Sequence, residues 1–314
     1  MPTIKPDWYS IVNPHAGSGK TMHEWHTAEK QLTRHKVPYK TTLTNYKFHA
    51  TLLAYEAASH GYRKFLTVGG DGSVHEVFSG IMKYCDETGV APEDFTLAVI
   101  PIGSGNDWIK TNHIPHDTAK VVRLIAEESF GMMDVVSVET SEGRCHMANV
   151  GGTGFDAHVC KIVNTLKERG NRSARIYVTA LMRTIFTMRK SNISVKADGV
   201  TVFEGASYSL AIGNGPYSGG GMKQVPLADN NDGLIDYMVV RRVPLLKLLG
   251  EIKHLFDGTV NESDIVVHGQ CRQLEVTGDD IVEIDGEVKG NLPLKVSAAG
   301  SKIRILKRKS SSKS

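Results

Sequence analysis

Thr67-Val68-Gly69-Gly70-Asp71-Gly72-Ser73-Val74-His75-Glu76 describes a strand, a tight turn and the start of a helix. Phe65 to Val68, leading into it, are apolar and β-prone. Gly69, Gly70 and Gly72 can take φ > 0 and leave no side chain between the backbone and an approaching molecule. Beyond the turn, Val74, Val77, Phe78, Ile81 and Met82 recur at i, i+3, i+4, i+7 and i+8, the spacing of one buried helix face. Ser73 with Glu76 has the pattern of a capping box, so the helix is expected to start at Ser73. The N–H groups and positive dipole end of that helix face the turn and make an anion site, with Asp71 as the one carboxylate in it. A carboxylate beside phosphates implies a cation between them, and Mg2+ suits both. Glycine turns of this kind also close βα units that bind nothing.

The rest of the chain repeats the unit. Tyr9 to Val12 reads as a first strand, stopped by Asn13-Pro14-His15-Ala16-Gly17-Ser18-Gly19-Lys20-Thr21 and followed by a helix with Met22, Trp25, Ala28 and Leu32 on one face. A Walker A loop is excluded by spacing, because Pro14 stands where that motif needs a glycine. Tyr39 to Leu43 is a second strand, Thr44 a candidate N-cap, and Ala50, Leu53, Ala54 and Ala57 a small-residue helix face. Asp94 to Ile100 is a fourth strand, entering Pro101-Ile102-Gly103-Ser104-Gly105-Asn106-Asp107-Trp108. Asn106 and Asp107 there suit either a ligand or the cap of the next helix. Alternating β and α segments predict a doubly wound parallel sheet over residues 1–133, with ligands at the carboxyl ends of its strands.

After about Asp134 the pattern changes to short β-like runs: Val135–Val138, Cys145–Asn149, Ile193–Lys196, Val200–Phe203 and Tyr208–Ile212. Others follow at Ile235–Val240, Ile265–Val267, Leu274–Val276, Ile281–Ile284, Leu294–Ala298 and Ile303–Leu306. Asp198-Gly199 between two runs signals a hairpin. The expectation is a mainly antiparallel, β-sandwich-like domain over residues 134–300, with helical insertions near Ala157–Lys167 and Ala174–Arg189. Val225 to Leu234 is an acidic, amide-rich loop, which suits a hard cation and equally a solvated turn. Asp285-Gly286-Glu287 after Ile284 reads as a hairpin turn.

Composition sets the outer limits. With 314 residues and 40% hydrophobic content the chain can bury two cores. A net charge of +3 is too small for a nucleic-acid footprint but compatible with an acidic membrane surface. Cys85, Cys145, Cys160 and Cys271 have no paired spacing, so neither a zinc site nor a disulfide framework is signalled, and a reducing cytosol fits. Met1 to Asp7 lacks an apolar signal core and no later run has the length of a membrane span. Lys307, Arg308, Lys309 and Lys313 among serines predict a disordered basic tail over 309–314 that assists peripheral membrane association.

Gly69-Gly70-Asp71-Gly72 resembles the GGDG signature shared by diacylglycerol kinases, sphingosine kinases, NAD kinases and phosphofructokinases. Ser73 stands where the lipid kinases usually carry Thr, a departure that points toward phosphofructokinases. Pro101-Ile102-Gly103-Ser104-Gly105-Asn106-Asp107 is similar to the PxGTxND element of diacylglycerol and sphingosine kinases, and separates them from the other two. Asn149 to Asp156 matches their NxxGxGFDA segment, Val225 to Leu234 their PxAxxxDGxL loop and Asp285-Gly286-Glu287 their DGE. The resemblance implies a cytoplasmic, membrane-visiting lipid kinase with its active site in a cleft between the two domains, and a last strand at 301–308 that returns to the first domain. ATP would be the donor, Mg2+ the cofactor and a lipid hydroxyl the acceptor. Diacylglycerol is favoured over a sphingoid base, with a soluble-substrate kinase and a non-catalytic binding protein as alternatives; a homodimer stays open. Nucleotide contacts are implied at Asn13, Gly17, Thr44, Gly69, Gly70, Asp71, Gly72, Ser73, Glu76, Ser104 and Asn106. The resemblance assigns a structural Mg2+ to the Asp232 side chain and the carbonyls of Asp229 and Leu234, and the proton-accepting role to Glu287. In sphingosine kinases the aspartate of GGDG often takes that role, which keeps Asp71 in contention.

Overall fold

Strands buried on both faces are mostly apolar, as Trp8–Val12 and Thr96–Pro101 are. A computed structural model describes residues 8–19, 21–103, 105–168, 179–180, 183–184 and 191–308. The chain divides into two compact units: one runs to Val135 and takes in Gly219–Gly221 and the residues from Gly300, and the other holds Val136–Ser218 and Met222–Ala299. The first unit alternates β1 (Trp8–Val12), α1 (Thr21–Arg34), β2 (Tyr39–Leu43), α2 (His49–Ser59), β3 (Lys64–Gly69), α3 (Asp71–Thr88), β4 (Thr96–Pro101), α4 (Asp107–Thr111) and α5 (Thr118–Ala126). Its strands are parallel in the order β2-β1-β3-β4, and the returning chain at Arg304 and Ile305 lies parallel to Thr96 and Leu97 of β4.

The steps from β1 to β2 and from β2 to β3 run in opposite directions across this sheet, so right-handed crossovers put α1 and α2 on opposite faces. Accordingly α2 packs on α3, and α1 on α5. Gly80 permits the first of these pairs: a Cβ there would collide with the Thr51 carbonyl and lie 2.8 Å from Ala54 Cβ. Strands β1 and β4 are buried along their whole length, with Phe65, Phe95, Leu66 and Ile100 in the core they share with the helices. The register pairs Val12 with Val68 and Leu43, and Gly69 with Pro101, so the turns after all four strands end at one level.

Two helix starts differ from the sequence expectation. Helix α3 begins at Asp71, with extended Gly70 as N-cap and no side-chain cap, and Ser73 lies inside its first turn. Glu76 closes no capping box because its Oε2 accepts the Ala50 N–H of α2 at 3.2 Å. Thr44 is not the N-cap of α2, which starts after Phe48. The Thr44 N–H donates to the Val12 carbonyl at 2.9 Å, a bond to β1 that carries the chain on past β2.

The chain enters the second unit within β5 (Phe130–Thr140), and β6 (Gly143–Met147), β7 (Val150–Gly154), α6 (Phe155–Glu168), β8 (Ser191–Ala197) and β9 (Val200–Gly213) follow. A small hairpin of β10 (Tyr217–Ser218) and β11 (Met222–Lys223) precedes β12 (Ile235–Arg241), α7 (Leu245–Asp257), β13 (Val266–Cys271), β14 (Gln273–Gly278), β15 (Ile281–Ile284), β16 (Glu287–Asn291) and β17 (Leu294–Leu306). Pairing is antiparallel through β16-β15-β7-β9-β8-β14 and the first half of β17, with β12 and β13 added at β9. The runs at Val200–Phe203 and Tyr208–Ile212 are one strand, β9, and those at Leu294–Ala298 and Ile303–Leu306 are one strand, β17. Gly205 and Gly300, both at positive φ, interrupt the apolar pattern without ending the pairing. Asp198 and Gly199 form the expected two-residue hairpin at φ 48° and 81°. Val195, Leu210, Ile212, Val239, Leu274 and Ile284 are among the buried residues of the core.

Helix α6 agrees with the expected insertion. Most of the Ala174–Arg189 insertion, and the tail from Lys309 with Lys313, lie outside the described residues. Helix α7 was not expected, although Leu245, Leu248, Leu249, Ile252 and Leu255 carry helical spacing.

Candidate active site

In the first unit the polar turns after β1, β3 and β4 are fastened to one another. Asn13 Oδ1 accepts the His15 N–H at 3.0 Å, while Asn13 Nδ2 donates to Ser73 Oγ at 3.2 Å. Gly17, at φ 55°, lies so close to Ile102 and Gly103 that a Cβ would stand 2.5 Å from Ile102 Cγ2 and 3.4 Å from the Gly103 nitrogen. A Cβ on Gly69 would run into Ser73 Oγ, and one on Gly70 would meet the Ile102 carbonyl at 3.2 Å. Gly17 and Gly70 are required by contact between turns and Gly69 by contact with Ser73 of its own turn, and Gly72, with nothing within 4 Å of its Cβ position, keeps the start of α3 open. The first bonds of α3 run from the Ser73 and Val74 N–H groups to the Gly70 carbonyl, at 2.9 and 3.2 Å, so the Asp71 and Gly72 N–H groups precede the intrahelical ladder.

Asp71 does something its sequence position does not reveal. Its Oδ2 accepts the Asp107 N–H and its Oδ1 the Trp108 N–H, each at 3.0 Å, so the carboxylate of the first turn holds the N-terminus of α4. Burial pushes the Asp71 carboxyl above its ordinary value, the two N–H donors pull it back in part, and the Asp107 carboxylate adds a smaller upward push. Asn106 is buried in a left-handed conformation, φ 48°, and its Nδ2 donates to the Gly103 carbonyl at 2.9 Å. Asp107 Oδ1 accepts from Lys110 Nζ at 2.8 Å. Asn13, Gly17, Gly69, Gly70, Asp71, Ser73 and Asn106 thus come together, with Thr44 beside them through Val12. Glu76 Oε2 is engaged by the Ala50 N–H of α2. Ser104 lies outside the described residues.

In the second unit Asp285 and Gly286 form a two-residue hairpin between β15 and β16, both at positive φ (50° and 85°), as the Asp-Gly pair favours. The Asp285 carboxylate accepts three successive N–H groups, from Ala148 at 2.7 Å, Asn149 at 2.8 Å and Val150 at 3.2 Å. Glu287 is the first residue of β16, half-buried. Behind the turn lies Glu283, 7% exposed and not marked by any motif; burial pushes its carboxyl up to about 8, and the Asp156 carboxylate adds to this. Burial likewise pushes Asp156 up to about 6, against a 3.0 Å hydrogen bond from Gln224. In the acidic loop, Asp229 Oδ1 accepts the Asn231 N–H at 3.1 Å and Asp232 Oδ1 the Leu234 N–H at 2.9 Å. Gln270 Nε2 donates to Asp232 at 3.3 Å and to Asp236 at 3.1 Å. Asp236, unmarked by motif, is raised by burial and then by the charges of Asp232 and Asp229. Among the described residues no group of three or more His, Cys, Asp or Glu side chains converges as a metal site.

The chain matches two family models in succession. Residues 7–138 match the model of the diacylglycerol kinase catalytic domain, and residues 149–307 that of the YegS C-terminal NAD kinase beta sandwich-like domain. A diacylglycerol kinase of Mycobacterium tuberculosis is 26% identical over 302 residues, covering 95% of this chain and 94% of that protein. A "probable lipid kinase YegS-like" of Chromohalobacter salexigens is 27% identical over 250 residues, covering 75% and 73%. Among solved structures, a diacylglycerol kinase from Bacillus anthracis superposes with a TM-score of 0.71 at 22% identity over 97% of both chains, a likeness of fold.

Proposed function

Because the chain belongs to the lipid kinases that join a diacylglycerol kinase catalytic domain to a YegS-type C-terminal domain, we propose that it moves the γ-phosphoryl group of ATP to a primary hydroxyl of diacylglycerol, giving phosphatidic acid. The observation that carries the phosphoryl-transfer reading is the fastening of three glycine turns at the carboxyl ends of β1, β3 and β4. That arrangement brings N–H donors and a helix N-terminus to one place, which is what spreads the charge of a transferring phosphoryl group. Asn13, Gly17, Thr44, Gly69 to Ser73, Ser104 and Asn106 are the nucleotide residues in this reading; Glu76 supports α2.

The acceptor hydroxyl gives its proton to Glu287 as its oxygen bonds to the γ-phosphorus, and the bond to the bridging oxygen breaks to release ADP. A positioned base of this kind contributes about 10²–10⁴ in rate. The Asp232 carboxylate with the carbonyls of Asp229 and Leu234 is a set of hard oxygen donors, which fits Mg2+. Asp71 is the nucleotide-side carboxylate, although each of its oxygens already accepts an N–H from α4 and keeps one acceptor site. Bound with the nucleotide, Mg2+ supplies charge neutralisation at the β- and γ-phosphates. No helix among the described residues is long and apolar enough to cross a membrane, and access to lipid is proposed through peripheral contact. Exposed Leu246, Leu249 and Phe256 on α7, with Lys307 and Arg308 near the chain end, support that contact.

Transfer of radiolabelled phosphate from ATP to vesicles carrying diacylglycerol or a sphingoid base, and to soluble NAD or a sugar phosphate, tests the acceptor. Label in phosphatidic acid is the expected result; label only in a soluble acceptor overturns the proposal. Glu287→Gln should keep the ATP KM while kcat falls at least about a hundredfold. Near-normal kcat at saturating lipid would show that the base is not Glu287 and would move the role to Asp71.

A further inference from the structure

Both backbone polar groups of Gly286 are gripped. Its N–H donates to Glu283 Oε2 at 2.9 Å, and its carbonyl accepts from Asn164 Nδ2 of α6 at 3.1 Å, with Cys160 Sγ 2.7 Å away on the same oxygen. On the far side of the turn, Asp285 is held by three N–H groups of residues 148–150. Gly286 is the residue immediately before Glu287. We propose that Glu283 and Asn164 are positioning residues for Glu287, fixing the peptide from which its carboxylate projects. This rests on the reading of Glu287 as the base.

Glu283 performs this task as a neutral acid. It is buried on β15 between β7 and β16, and β7 (Val150 to Gly154) contributes no titratable side chain. Helix α6 contributes Asp156, with Cys160 on the Gly286 carbonyl and His158 on Asp280; the turn contributes Asp285 and β16 Glu287, while Lys289 of β16 acts on the Cys145 thiol. Removal from water, with those negative charges, holds the proton on Glu283; the Gly286 N–H, which favours the anion, offsets only part of this. One oxygen of the protonated group still accepts from Gly286. Glutamine reproduces that acceptor and stays neutral at every pH, whereas alanine removes it. When the carboxyl ionises, a new negative charge appears beside three others, and the turn loosens.

The test uses the full chain and measures kcat, ATP KM and the melting temperature from about pH 6 to about pH 9.5 for the wild type, Glu283→Gln, Glu283→Ala and Asn164→Ala. Glu283→Gln should keep kcat within about threefold at neutral pH, and lose the alkaline fall in kcat that the wild type shows near pH 8. Glu283→Ala and Asn164→Ala should lower kcat about tenfold or more at unchanged ATP KM. The wild-type melting temperature should fall as pH rises toward 8, and that slope should flatten in Glu283→Gln. Loss in Glu283→Gln as deep as in Glu283→Ala, or identical pH profiles of wild type and Glu283→Gln, overturns the proposal while leaving the kinase reading intact. Absence of transfer to any lipid by the wild type refutes the kinase reading, and the positioning role falls with it.

Discussion

Removing the Asp71 carboxylate should unfasten two turns. Two backbone N–H groups at the start of α4 end on it, each at 3.0 Å, and hydrogen bonds to a charged partner are worth about 1.5–3 kcal/mol each. Burial of the carboxylate offsets part of that, as the upward shift of its pKa shows. In Asp71→Asn, Oδ1 still accepts one N–H, but the amide NH2 faces the other donor, and an unpaired buried N–H costs about 1–3 kcal/mol. A net loss of about 2–3 kcal/mol is expected for Asn and for Ala, lowering the melting temperature by about 3–5 °C at this chain size. The pH dependence has a definite sign. A carboxyl whose folded pKa lies above its unfolded value contributes stability that is fully present below the unfolded value, 3.8, and is lost as pH rises through the folded one. Asp71→Asn should therefore flatten that segment of the wild-type curve. Calorimetry without nucleotide is the assay, with ATP KM measured in parallel. A melting temperature unchanged within about 1 °C, together with a raised KM, would refute the fastening role and leave Asp71 a ligand contact alone.

Two further outcomes follow from the same geometry. Glu76→Ala removes the acceptor for the Ala50 N–H and should cost about 1 kcal/mol in unfolding experiments while leaving ATP KM unchanged; a raised KM at full stability would return Glu76 to the nucleotide. Asp232→Ala should lower the melting temperature and shrink the rise that added Mg2+ produces in the wild type, and an unaltered Mg2+ response would remove this loop as the metal site.

The parts of the fold that sequence made legible are those where one residue's chemistry settles its conformation. Strands buried on both faces left mostly apolar, β-prone runs at Tyr9 to Val12 and Phe65 to Val68, each with one polar member (Ser10, Thr67), and Asp198-Gly199 marked a turn that needs two positive φ angles. Gly17 and Gly70 stood where one turn must approach another. What was hidden depends on which segment comes to lie opposite. Glu76 has the spacing of a capping box, yet α2 packs on α3 and offers Ala50 as a competing donor. The runs on either side of Gly205 and Gly300 read as separate strands because pairing on both sides of a glycine is invisible in the chain itself. Glu283 lies between buried Val282 and Ile284, so alternation assigns it to the opposite face of β15. That face is open in an isolated hairpin, but α6 packs against β15, and burial pushes the carboxyl up to about 8.

The same device therefore occurs in both units. Asp71 follows two glycines and holds the N-terminus of α4; Asp285 precedes a glycine and holds residues 148–150. Each of these conspicuous acids fixes backbone that other groups must use. Glu287 stands at the receiving end of such bonds, since Glu283, Asp285 and Asn164 hold the turn before it. A loss of turnover after substitution of Asp71 or Asp285 mixes displaced backbone with any lost proton transfer, and kcat alone cannot separate them. Only a carboxylate whose replacement lowers kcat while melting temperature and ATP KM stay in place has acted on the transferred proton. On the geometry of the two turns, that combination is expected at Glu287 and not at Asp71.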